Sequence, residues 1–173
     1  MELTQRAVSA TAGQARPSGL TVSATLGVVL GGSISDGARR DDLGVGVLAG
    51  LGAARPWRLD RWFVTGTVGL SASRTTTTER VPGAASTGLV ATDLRVGAMA
   101  GRQLGPVSPY LLARVFGGPV LWRRDGRAVQ GSDVTHVQLG AGATVVIPRG
   151  LAVTVDVSAV GERSASLAVA LRL

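Results

Sequence analysis

The stretch GLTVSATLGVVL, residues 19–30, decides how the rest of the chain is read. Leu20, Val22, Ala24, Leu26, Val28 and Leu30 occupy the even positions, and Gly19, Thr21, Ser23, Thr25 and Gly27 the odd ones, with Val29 the one interruption. A period of two places these sets on opposite faces of one β-strand. At about eleven residues the strand is roughly twice the usual globular length. Its second face is small and hydroxylated rather than charged. An apolar face toward lipid and a compact polar face toward a crowded lumen are the needs of a transmembrane β-strand.

The pattern recurs along the chain. Over 43–53, Leu43, Val45, Val47, Ala49, Leu51 and Ala53 alternate with glycines at 44, 46, 50 and 52, which implies close approach of other groups inside a narrow lumen. Further strands are expected at 62–74, 90–102, 109–122, 134–147, 151–159 and 165–173, each with an apolar outward set. The break Gly117-Gly-Pro119 predicts a bulge that turns Val120 and Trp122 outward. Polar stretches at 35–42, 75–89 and 123–133 read as long loops, and 55–61, 105–108 and 148–150 as turns. The count is eight, with long connections at one end and short ones at the other. The fold class expected is therefore all-β: a closed, antiparallel, up-and-down, eight-stranded transmembrane β-barrel over 19–173. Residues 1–18 read as a polar periplasmic lead-in, and closure requires 19–30 to pair with 167–173. Both termini then lie in the periplasm.

Composition agrees with a single domain. Of 173 residues, 45% are hydrophobic, yet no run reaches the eighteen consecutive apolar residues of a spanning helix. All 18 basic residues are Arg and the net charge is +7. These arginines fall at loops and turns without an aromatic platform for stacking bases, which argues against nucleic acid as a partner. A basic rim instead suits the phosphates of outer-membrane lipid or lipopolysaccharide. Cys is absent, removing disulfides and thiolate metal sites. Met1-Glu-Leu-Thr shows neither a basic nor an apolar leader region, so a mature form or the C-terminal piece of a longer chain is expected.

Pro109-Tyr110-Leu111 enters a strand after a tight turn, and Leu167, Val169, Leu171 and Leu173 alternate at the end of the chain. With the strand pattern, these residues resemble the small eight-stranded outer-membrane barrels of the OmpA-like and OmpX-like group. Leu173 stands where that group usually carries an aromatic residue. The resemblance implies a monomeric outer-membrane protein. Trp57, Trp62 and Tyr110 fall near the periplasmic interface and Trp122 near the external one, the positions of an aromatic girdle.

Little points to chemistry. His136 is the only histidine, and a hydrolase would need a nucleophile and an acid beside it, with Ser132, Ser164 and Glu162 the nearest candidates. No cluster suggests a metal, and no catalytic residue or cofactor is assigned. Asp93, Arg95, Arg114, Gln138, Asp156 and Arg172 fall on the inward face, and buried charge is tolerated only when paired. Arg114 and Asp156, counted from the short turns, are the expected pair. This network reads as a plug, because eight strands leave an interior about wide enough for side chains. The function expected is a non-catalytic anchor or surface-interaction scaffold, with loops 75–89 and 123–133 as contact surfaces for an unidentified partner. The alternatives are a soluble lipocalin-like barrel with the apolar set inward around a ligand, and a narrow solute or ion pore.

Overall fold

The computed structural model describes residues 2–35, 40–79, 86–124, 127–132, 135–148, 150–161 and 163–171. Twelve strands follow one another: β1 (Glu2–Ala15), β2 (Thr21–Ser35), β3 (Arg40–Leu43), β4 (Gly46–Leu59), β5 (Trp62–Glu79), β6 (Thr87–Arg102), β7 (Val107–Gly117), β8 (Val120–Arg124), β9 (Arg127–Gly131), β10 (Val137–Ile147), β11 (Leu151–Gly161) and β12 (Ser164–Leu171). The protein is all-β and antiparallel, with a barrel core. Three runs are interrupted: β3 and β4 both pair with β2 and β5, β7 and β8 both pair with β6, and β9 and β10 continue the next run. Twelve strands thus make nine hairpin-linked runs.

The extra run is β1. Glu2–Ala15 pairs with β2 along its whole length, from Glu2↔Ser35 to Ala15↔Thr21, so residues 1–18 are not a lead-in. The alternation of Val8, Ala10 and Ala12 with Ser9, Thr11 and Gly13 is a period-two strand written in small residues. This corrects the count of eight. β2 lies between β1 and the β3–β4 run, so 19–30 does not pair with the C-terminal strand. Glu2 sits beside Ser35 at the loop end, whereas Leu171 pairs with Leu151 at the turn end, so the two ends of the described chain do not share a side. Among the described residues β1 pairs with β2 alone and β12 with β11 alone.

The facing of the other strands follows the sequence. Val22, Leu26 and Val28 are exposed while Thr21, Ser23 and Thr25 are half-buried. Registers align these faces across strands: Val22↔Ala53, Ala53↔Val68, Val68↔Val96, Val96↔Val115 and Val115↔Val137 form one apolar row on the outside. The small and hydroxylated residues take the concave side, where Gln5 of β1 donates from Nε2 to Ser73 Oγ of β5 at 3.4 Å across the two intervening runs.

At the loop end the polarity reverses. Ile34, Leu43, Leu89, Ala91, Val120 and Trp122 form one buried cluster on the inner face, with Leu3 and Val129 packed against it. The outward residues there include Thr4, Arg6, Arg40, Thr76, Thr78 and Arg123, all exposed, with Val90 and Leu121 the exposed apolar pair among them. This end is an extension of β-hairpins with an ordinary apolar core. It absorbs much of what composition marks as loop: Thr75 and Thr77 are buried in β5, and β9 lies within 123–133. Residues 80–85, 125–126 and 133–134 of those stretches lie outside the described residues.

Two aromatic placements are corrected here. Val120 and Trp122 face the core rather than the exterior. The register with β6 is the same on both sides of Gly117-Gly-Pro119, with Leu94↔Gly117 before it and Ala91↔Val120 after it. Pro119 removes one donor without inserting a residue, so parity is kept. Tyr110 is also inward, with only 7% of its surface exposed, sharing the parity of Leu112, Arg114 and Phe116. Trp57 and Trp62 are outward and exposed at the turn end.

Candidate functional site

The polar interior below the apolar cluster is the candidate site, and strand register builds it. Phe63↔Gly101, Gly101↔Tyr110, Tyr110↔Gly142, Gly142↔Asp156 and Asp156↔Ser166 are successive cross-strand pairs, so six residues on six strands share one inward row. Large rings alternate with glycines along it. A Cβ on Gly142 would fall 2.7 Å from the Tyr110 Oη and 2.6 Å from Asp156 Oδ1, so the glycine is the space through which the tyrosine reaches the acid. Tyr110 Oη donates to Asp156 Oδ1 at 2.5 Å and Ser166 Oγ donates to Asp156 Oδ2 at 3.1 Å, which engages both carboxylate oxygens.

That contact fixes a test of the row. Gly142→Ala puts a methyl group into space already filled and costs about 1–3 kcal/mol through overpacking. Equilibrium unfolding in urea should show the loss. An unchanged midpoint would mean the Tyr110–Asp156 contact does not hold these strands.

A second grouping lies nearer the loop end. Asp93 and Arg95 form an ion pair on the inner face of β6, and the Arg95 guanidinium lies 5.2 Å from the centroid of the Phe116 ring. Gly52 and Gly69 share the register row of Arg95 and leave a cavity of about 260 Å³ bordered by Ser23, Thr25, Ser71, Asp93 and Arg95. The crowding that the interior glycines relieve comes mostly from neighbouring backbone. At Gly46, for example, a Cβ would sit 2.2 Å from the Arg74 carbonyl oxygen.

The expected Arg114–Asp156 pair is not formed among the described residues. Arg114 shares its row with Gly97 and Gln138, whereas Asp156 shares its row with Gly142, four residues further along β10. About 13 Å of strand separates the two rows. Gln138 is 1% exposed, donates from Nε2 to Ser164 Oγ at 2.9 Å, and has no partner at Oε1. Arg172 lies outside the described residues.

No nucleophile–base pair assembles among the described residues. His136 Nδ1 lies 3.1 Å from the Phe116 carbonyl oxygen, and the Phe116 amide donates to the His136 carbonyl at 2.9 Å. Ser164 is engaged by Gln138 instead, Ser132 is exposed, and Glu162 lies outside the described residues. Among the described residues no three metal-ligating side chains converge. Sequence reasoning missed the part played by Tyr110, although its parity with Arg114 and Phe116 carries the signal. Comparison with protein-family models, curated proteins and solved structures finds no match for this chain.

Proposed function

We propose that this chain is a membrane-spanning β-barrel of the outer-membrane type, without catalytic activity, that holds a water-exposed β-extension at its loop end. The observation that carries the reading is the change of polarity along single strands. On β5 the outward residues Trp62, Val64, Val68, Leu70 and Ala72 are followed by Arg74, Thr76 and Thr78. On β1, Thr4 and Arg6 give way to Val8, Ala10 and Ala12. The inner face changes in the opposite sense, from Ser, Thr and Gly to the apolar cluster. Water on both sides does not account for this, since monomeric soluble proteins rarely expose contiguous apolar patches beyond a few hundred Å². Lipid around one segment and water around the other does. Eleven residues from Trp62 to Ala72, tilted by about 45°, reach roughly 25 Å, the height of an outer-membrane apolar band.

The proposed architecture is that of the small outer-membrane barrels, such as the OmpA-like and OmpX-like group, with nine runs here against their eight strands, the cell outer membrane as the location and lipid or lipopolysaccharide as the surroundings. A lipocalin-like barrel would need the apolar set on the concave face, and the exposures run the other way. A pore is disfavoured by the apolar cluster at the loop end, which offers permeating water and ions no polar lining there. Detergent dependence tests the whole reading. The protein should require detergent to stay dispersed and should migrate differently on gels before and after heating. A soluble monomer without detergent would overturn it.

A further inference from the structure

The turn end of β4, β5 and β6 carries an outward patch that the scaffold reading does not use. Leu59↔Trp62 and Trp62↔Arg102 form one row, and Trp57↔Val64 the next. The Arg55 guanidinium lies 5.6 Å from the Trp57 ring centroid and the Arg102 guanidinium 5.5 Å from that of Trp62. Trp57 lies flat across Gly66, where a Cβ would come within 3.2 Å of the ring. The two tryptophans are 47% and 58% exposed although each is stacked with a cation. Arg16 and Arg61 are exposed in the turns at the same end, and Asp60 is the one acid among these described residues.

We propose that this patch binds the headgroup phosphate of anionic glycerophospholipids in the leaflet at the turn end. The proposal rests on the membrane reading above and adds the class of lipid. Stacking over an indole holds a guanidinium by its face and leaves its edge N–H groups free, and that edge matches two phosphate oxygens at once. The indoles themselves suit the headgroup level, where one side is apolar and the other wet. Arg16, Arg55, Arg61 and Arg102 against one aspartate give the patch the sign an anionic surface attracts. The apolar row beginning at Val64 continues directly from it, so acyl chains and headgroup meet matching surfaces.

The test uses the full chain in vesicles whose lipids carry bromine near the glycerol end of the acyl chains. Trp122, buried in the extension, supplies constant fluorescence, so quenching reports Trp57 and Trp62. At equal mole fraction, brominated phosphatidylglycerol should quench several-fold more than brominated phosphatidylcholine. Arg55→Gln with Arg102→Gln should make the two lipids equal while keeping quenching, and Arg55→Lys with Arg102→Lys should keep part of the preference. Equal quenching of the unaltered protein, or a preference that survives the glutamine pair, overturns the headgroup site and leaves the membrane reading intact. Selective protection by lipid A with no preference for phosphatidylglycerol overturns it in favour of lipopolysaccharide. Quenching by neither lipid overturns the membrane reading itself.

Discussion

If the outer face of β5 meets lipid as proposed, arginine in place of Val68 should lower the stability of the protein in a bilayer by about 2–4 kcal/mol. Val68 stands six residues from both Trp62 and Arg74, at the middle of the apolar stretch of β5, and its row neighbours Ala53 and Val96 offer no carboxylate. An exposed surface position loses little on gaining a charge, typically within about 0.5 kcal/mol. Thr78→Arg supplies that comparison, since Thr78 is exposed on the same face of the same strand and pairs with Asp42. Reversible unfolding from lipid vesicles in denaturant measures both. A large loss at Val68 with none at Thr78 places the boundary between the two residues. Equal, small effects would mean the outer face of β5 meets water throughout.

The extension should depend on Trp122. Trp122→Ala empties the largest member of a cluster drawn from β2, β3, β6 and β8, and such truncations cost about 3–5 kcal/mol. Trp122→Phe separates packing from polarity. The indole is 6% exposed and its Nε1 has no hydrogen-bond partner, and a buried donor left unpaired costs about 1–3 kcal/mol. Phenylalanine loses some volume but removes that donor, so it should hold the extension far better than alanine. Amide hydrogen exchange locates the effect. In the alanine variant β3, β8 and β9 should lose protection while β10 and β11 keep theirs. Uniform loss across the barrel would show that extension and barrel fold as one unit.

The strands were legible wherever one face was strongly apolar. Thr21–Ser35, Val107–Gly117 and Leu151–Gly161 carry enough Val and Leu at alternate positions for period and facing to be read together. β1 was hidden because Val8 is the one large apolar residue in its outward set of Glu2, Thr4, Arg6, Val8, Ala10, Ala12 and Gln14, too weak in hydropathy to separate from loop. The extension was hidden for a different reason. Val29, Leu89 and Val120 look like exceptions to an outward-apolar rule and become regular only when the surroundings change along the strand, and Ile34 is turned inward by the register shift opposite Arg6 and Ala7. Of the interior, the inward placement of Asp93, Arg95, Gln138 and Asp156 was readable from parity. Their partners were not, because partners follow from inter-strand register. Asp156 meets Tyr110 through Gly142, a contact between residues 46 positions apart in the chain.

The nine runs carry a directional consequence. Every neighbouring pair in the sheet is antiparallel, so direction alternates, and the first and ninth members of the series point the same way. Glu2–Ala15 and Ser164–Leu171 both descend from the loop end to the turn end. Any bonds made straight across from one to the other would run at a slant and hold slightly less per residue than those elsewhere around the wall. With a strand partner on one side only among the described residues, the first and last strands are where this wall parts most easily.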